Sequence, residues 1–347
     1  TSTKAVRAQG RPGGNGVAVV IPKAMASGAG AEDEWADVPP QLHPPAHHGH
    51  LVASEQAAMM RDPASGRRAI LVKERMTADA VAAAAAGTSQ GPIDWAVELA
   101  DFDQLEYPPY YRQPFHSIPG GWLSKRAAEK NRAAMQAIYR DAHPKSSLGL
   151  RAVLAEHVPQ SVRMVVDLGT GDGDGAAAVA RARPWARVLA IDASPFMLVV
   201  GRRQNAGCPN LEWRHGLAEA TGLPSGCADA VTVTLVLHEC PREAKAALLR
   251  EAHRLLKPGG VLVLSDTPQT DLHTYRGFYE PYKEEWKHFD PAAALAEAGF
   301  AAVEDRGIVG GDGVVKSEDE HRESTHSATT DNRLFVVCGF KAPGSAL

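Results

Sequence analysis

At 347 residues, with 44% apolar residues and a net charge of −4, the chain can hold one large domain with additions, and its charge does not mark a general nucleic-acid binder. No run of about 20 apolar residues occurs, so no membrane-spanning helix is expected. Cys208, Cys227, Cys240 and Cys338 are scattered without C-x-x-C spacing, which points away from zinc and toward reduced thiols.

Residues 1–50 are rich in Gly, Pro, Ala and His and lack periodicity, so they are expected to be a disordered or partner-ordered arm. Its stretch Thr1 to Ala31 contains Lys4, Arg7, Arg11 and Lys23 and no acid. That composition resembles the end of an organelle transit segment, and the expectation is a plastid or mitochondrion, otherwise the cytoplasm. His47, His48 and His50 sit in a Pro/Gly-rich setting and read as solvated; no metal is expected. Residues 51–150 form an N-terminal extension, helical and aromatic-rich. Within it Trp95, Phe102, Tyr107, Tyr110, Tyr111, Phe115, His116 and Trp122 crowd among Pro108, Pro109, Pro114 and Pro119. This span reads as extended or turning, and its rings suit either sheet packing or the lining of a pocket. A helix capped by Ser124 is expected to follow, to Ala142.

Residues 151–342 carry the regular pattern, in which a short helix over 151–160 is followed by pairs of strand and helix that alternate to Asp266. The run Val165-Val166-Asp167-Leu168 leads into glycines at alternate positions, Gly169, Gly171, Gly173 and Gly175, and an alanine-rich helix follows. This is a buried parallel strand, a turn of residues without Cβ, and a helix N-terminus on which a ligand can lie. A second apolar run, Val188 to Ile191, ends in Asp192, about 20 residues beyond the glycines, where a carboxylate can grip a ribose diol. Ala230 to Leu237 reads as a fourth strand with His238-Glu239 at its exit. A helix, the turn Pro258-Gly259-Gly260 and a fifth strand, Val261 to Asp266, come next. Asp290 and Pro291 open a last helix that Gly299 ends. Phe300 to Val309 and Leu334 to Phe340 close the sheet as an antiparallel pair, joined by the polar connection Gly310 to Asn332. The expected fold is α/β: doubly wound, a mostly parallel seven-stranded sheet with a closing antiparallel strand and a partly irregular N-terminal extension. A nicotinamide-dependent reductase shares the glycine loop and the second acid, but its G-x-G-x-x-G fingerprint is absent.

Asp167, Gly169, Gly171, Gly173, Asp192, the fourth strand with His238-Glu239 and the Pro-Gly-Gly turn resemble the class I S-adenosylmethionine-dependent methyltransferases over roughly residues 150–270. The resemblance is to the small-molecule, ubiquinone/menaquinone-biosynthesis-like branch. The Tyr-Tyr-x-x-Pro-Phe-His element resembles an extension found in plant and cyanobacterial members. It implies S-adenosylmethionine as cofactor, held by Asp167, Gly169, Gly171, Gly173, Asp192, Ala193, Met197, Gly216, Leu217 and Leu235, with Asp192 on the ribose hydroxyls. Leu217 stands where the family usually has an acid facing the adenine amino group. His238 is the candidate base. His116, Asp266, Tyr275 and Tyr282 are the candidate acceptor contacts. The implied activity is methyl transfer to a small organic acceptor. The alternative is a catalytically silent, methyltransferase-like subunit with an architectural role in an organelle protein complex. Nucleic acid is not an expected partner: no Asn-Pro-Pro-Tyr type tetrapeptide follows the fourth strand.

Overall fold

The structure is a computed structural model, and it describes residues 91–113, 115, 121–125, 127–129, 151–269, 281–309, 315–316 and 334–344. The basic stretch 1–31, the histidines at 47, 48 and 50, His116, Tyr275 and most of the 310–332 connection lie outside the described residues.

The strands are β1 (Met164–Leu168), β2 (Arg187–Asp192), β3 (Leu211–His215), β4 (Ala228–Thr234), β5 (Leu256–Asp266), β6 (Ala302–Val309), the two-residue β7 (Val315–Lys316) and β8 (Leu334–Phe340). They form one sheet in the order β3-β2-β1-β4-β5-β8-β6-β7. The first five are parallel; β8 runs antiparallel between β5 and β6. Counting the seven longer strands alone, this is the doubly wound mixed sheet expected from the alternating runs, with β7 a short edge addition.

Both faces are buried, which explains why the strands read as continuous apolar runs. On one face Val165, Val188, Ala230 and Val263 pack against α2 (Arg151–His157) and the alanines of α3 (Asp174–Ala182). Alanine lets α3 lie close to the sheet. Arg183, itself buried, donates to the carbonyls of Ala155 and Val158 and closes the C-terminal end of α2, where carbonyls have no helical partner. On the other face Val166, Leu168, Val231, Leu262 and Leu264 pack against α5 (Arg242–Leu255) and α7 (Pro291–Glu297), with Trp286 fully buried between them. Asp290 caps α7 by accepting from the Ala293 amide at 3.0 Å, as its sequence position implies.

Two local details depart from the sequence reading. The Pro258-Gly259-Gly260 turn is absorbed into β5 as an irregularity: Leu256 pairs with Ala228, the register shifts, and pairing resumes at Val261 with Ala230. Gly259 takes φ +77°, which lets the bulge form without strain. The connection from β3 to β4 also carries no helix. Gly222, Pro224 and Gly226 interrupt it, and Glu251 of α5 pins it instead, accepting from the Thr221 amide at 3.0 Å and its hydroxyl at 2.5 Å.

The aromatic segment ahead of the core is ordered around a short helix, α1 (Trp95–Glu98), and a 3-10 turn, Pro109–Arg112. Trp95, Leu99 and Phe102 pack on Phe196, Val199 and Val200 of α4 (Pro195–Gln204). From there the chain crosses the carboxyl ends of the strands. Ser124 accepts from the Ala127 amide at 2.9 Å, the expected cap; position 126 and positions 130–142 of the expected helix lie outside the described residues.

Candidate functional site

The carboxyl ends of β1, β2 and β4 meet where the strand order reverses, the crevice in which open α/β sheets hold ligands. Most of the residues assigned to the cofactor from sequence are here. Gly169, Gly171 and Gly173 all have positive φ, at +68°, +58° and +75°. A Cβ would meet Val236 at 2.6 Å from Gly169 and Trp213 at 2.1 Å from Gly173. At Gly171 only Met197 Cε lies within reach, at 3.5 Å. Gly171 therefore faces the crevice beside Met197, while Gly173 makes room for the Trp213 ring beneath the loop. Thr170 in this loop has a buried hydroxyl without a partner, which a polar ligand lying on the loop would satisfy.

The acids at the ends of β1 and β2 have different duties. Asp167 accepts from the Thr232 hydroxyl at 2.5 Å and ties β1 to β4. Asp192 accepts from the Gly171 amide at 2.7 Å and from the Ser194 amide at 2.8 Å, so it ties the glycine loop to the start of α4. Burial pushes the Asp192 carboxyl up to about 6, against the pull of these two amides. Beside it Ala193 and Leu217 form an apolar patch with Tyr107, Tyr111 and Leu123. The Gly216 amide donates to the Asp192 carbonyl at 3.0 Å, which brings the Gly216-Leu217 backbone alongside. Leu235, at the exit of β4, has φ +56° and is the one non-glycine with positive φ among the described residues. That conformation costs roughly 1–2 kcal/mol and is held by the Leu235 amide bonding the Ser265 carbonyl at 2.9 Å.

The aromatic segment lies over this crevice. The Tyr111 hydroxyl donates to Asp192 at 3.4 Å, and that of Tyr110 to Glu219 at 2.7 Å. Trp122 Nε1 donates to Glu239 at 2.5 Å, and its carbonyl accepts from the Ser194 hydroxyl at 2.6 Å. Gln113 donates to the Tyr282 hydroxyl at 2.7 Å. Burial raises the Tyr107, Tyr110 and Tyr111 phenols above their ordinary value, so all three are neutral donors. Glu219 and these tyrosines were not assigned to the site from sequence; the density of aromatics between residues 102 and 122 was the available signal.

His238 sits in a single 3-10 turn after β4, nearly buried. Its Nδ1 is 2.6 Å from Asp266, and its Nε2 is 3.6 Å from Glu239. Asp266 is fully buried and also accepts from the Leu237, His238 and Thr267 amides. A candidate acceptor contact by sequence, it lies under the His238 turn, where three amides and an imidazole occupy it. Tyr282 is over the crevice through Gln113. No group of three or more His, Cys, Asp or Glu side chains with metal-binding geometry occurs among the described residues.

Residues 165–260 match the family model described as a methyltransferase domain. A demethylmenaquinone methyltransferase of Lysinibacillus sphaericus is 33% identical over 124 residues, 36% of this chain and 52% of that protein. One of Staphylococcus aureus is 34% identical over 114 residues, 33% of this chain and 46% of that protein. The chain thus spans about half the length of the curated relatives it matches. Among solved structures, an O-methyltransferase family protein from Burkholderia thailandensis aligns with 21% identity and a TM-score of 0.43, covering 63% of this chain and 60% of that one. Residues 165–260, on a sheet of doubly wound order, are thus similar to a methyltransferase domain, with distant homology to demethylmenaquinone methyltransferases over about a third of the chain.

Proposed function

We propose that this chain transfers a methyl group from S-adenosylmethionine to a small organic acceptor of the reduced-quinone class. The observation that carries the reading is Asp192: a buried carboxylate at the end of β2, bonded to the glycine-loop amide and flanked by the apolar Ala193-Leu217 patch. That donor and acceptor set fits a nucleoside whose sugar hydroxyls meet the acid and whose base lies on the patch. When bound, the cofactor supplies an electrophilic methyl group. The chain's own part is alignment, exclusion of water and handling of one proton.

His238 is proposed for the proton. Asp266 holds its Nδ1 and fixes the tautomer, leaving the Nε2 lone pair to accept. Glu239, tethered by Trp122, stands 3.6 Å from Nε2 and would stabilise the imidazolium once formed. The aromatic segment covers the crevice and keeps water out. The acceptor class follows the name shared by the bacterial relatives. Incubation of the full chain with S-adenosylmethionine and demethylmenaquinol, followed by mass spectrometry, tests it: one added methyl group is expected, and an unmodified quinol contradicts the acceptor assignment.

A second reading, a catalytically silent architectural subunit, draws on Leu217 and on the Tyr111 hydroxyl against Asp192. It requires that S-adenosylhomocysteine fail to bind.

A further inference from the structure

The connections from β1 to β2, from β2 to β3 and from β4 to β5 each carry a helix; the one from β3 to β4 carries none. On the sheet face toward α5, the amino ends of the first three strands are therefore bordered by an irregular loop. Register and alternation put Met164 of β1, Arg187 and Leu189 of β2, and Glu212 and Arg214 of β3 on that face. Here lies a hollow of about 640 Å³, which Leu223, Pro224 and Cys227 of the loop and Arg163 also line. Its volume is in the range of small-molecule sites, about 300–1,000 Å³. It opens to solvent, since Arg163, Arg187, Glu212, Arg214 and Pro224 are all exposed. A ligand can enter without displacing any part of the fold.

The hollow is apolar inside and cationic at its rim. Glu212 is already taken: Arg187 donates to both of its carboxylate oxygens at 2.5 Å. Asp229, just after the loop, is paired with Lys257 at 2.6 Å, and Glu251, which pins the loop, with Arg254 at 2.7 Å. Arg163 and Arg214 form no ion pair among the described residues. Three guanidiniums against one carboxylate leave this hollow positive on a chain whose net charge is −4. Arg163 is fixed through its backbone, where Asp229 accepts from its amide at 2.8 Å. The Arg214 guanidinium extends from β3 to the loop, since a Cβ on Gly222 would stand 3.6 Å from it.

We propose that this hollow binds a small anion with an apolar body, its carboxylate or phosphate group on the guanidinium rim and its body on Met164, Leu189 and Leu223. Guanidinium is planar and weakly hydrated, and it meets either acid group through paired hydrogen bonds. An inorganic ion would leave the apolar floor uncovered. A stable protein interface needs a far larger surface than this hollow offers. The occupant is neither the cofactor nor the methyl acceptor. The hollow lies at the amino ends of the strands and the crevice at their carboxyl ends, a strand length of about 16 Å away. The inference therefore stands independently of the methyl-transfer reading.

The test titrates the full chain by calorimetry with 2-naphthyl phosphate, 2-naphthoate, 2-naphthol and inorganic phosphate, each with and without excess S-adenosylhomocysteine. The variants are the double substitution Arg163→Gln with Arg214→Gln, and Glu212→Gln; all three side chains are exposed, so the fold does not depend on them. One of the two naphthyl anions is expected to bind the wild type about tenfold more tightly than 2-naphthol or inorganic phosphate, and the tighter of the two identifies the acid group. The double variant should lose about tenfold in affinity for it. Glu212→Gln, which frees Arg187 from its carboxylate, should tighten binding. S-adenosylhomocysteine should leave it unchanged. No binding of either naphthyl anion, or unchanged affinity in the double variant, overturns the proposal. So does 2-naphthol or inorganic phosphate binding as tightly, weaker binding in Glu212→Gln, or displacement of the probe by S-adenosylhomocysteine, which would put it in the crevice. Failure of S-adenosylhomocysteine to bind, with the arginine dependence intact, breaks the methyl-transfer reading alone and supports the separate site.

Discussion

The core and the aromatic segment that lies over it are held by different forces. The core from β1 to β5 is packed on both faces by apolar side chains, and the Asp167 carboxylate of β1 is bonded inside it by the Thr232 hydroxyl of β4. The segment from Trp95 to Phe102 is packed in a similar way onto α4. Beyond it, from Tyr107 to Trp122, attachment relies on tyrosine, tryptophan and glutamine donors set on Asp192, Glu219, Glu239 and Tyr282. Three of those acceptors border the ligand crevice. Cover and ligand therefore compete for, or share, the same polar groups, whereas the core is indifferent to both.

The comparison is broken most forcefully in the core. Gly173→Ala forces a Cβ to within 2.1 Å of Trp213 at a φ of +75°. It is expected to cost upwards of about 3 kcal/mol in urea denaturation. Gly226→Ala, with a φ of +64° and nothing within 4 Å, should cost only about 1 kcal/mol. Equal costs would mean that loop conformation, not ring packing, dictates glycine at 173.

A single substitution that touches both regions comes next. Ser194 caps α4 through the Met197 amide at 3.2 Å and donates to the Trp122 carbonyl. Ser194→Ala should lower stability by about 1–2 kcal/mol and speed amide exchange across residues 105–123 far more than in β1 or β4. Uniform acceleration would show that cover and core are one cooperative unit.

The smallest effect is graded by pH. Ribose hydroxyls donate to the carboxylate, so nucleoside binding favours ionised Asp192. With a value of about 6 in the empty site, S-adenosylhomocysteine affinity should be full above that pH and fall toward tenfold per unit below it. The sign for stability is opposite. The empty folded chain holds the Asp192 proton more tightly than the unfolded chain. This group's contribution is therefore greatest below about pH 4 and is lost as pH rises toward 6. Affinity flat between pH 5 and 7.5 would remove Asp192 from the ribose.

The parts of the site that could be read in the sequence are those whose cause is local. Gly171 sits in a turn that only residues without Cβ adopt readily, Asp192 ends an apolar run, and Ser194-Pro195 is a cap followed by a first-turn proline. What escaped was set by contacts across long stretches of chain: Tyr111 meets Asp192 across 81 residues and Tyr110 meets Glu219 across 109. No spacing rule reaches that far. The surroundings of Asp266 escape the sequence for a related reason. Its position at a strand end is local, but the three amides and the imidazole that draw it inward converge only in the fold. The missing helix between β3 and β4 was legible in Gly222, Pro224 and Gly226, had the regular strand-helix alternation not been carried through that stretch.

The most direct measurement is calorimetric titration of S-adenosylhomocysteine into the full chain and into Asp192→Ala at pH 7.5. Binding to the wild type, with affinity reduced at least about a hundredfold in the variant, is the expected result. Equal affinity in the two chains, or no heat from either, would contradict a nucleoside seated on the β2 carboxylate.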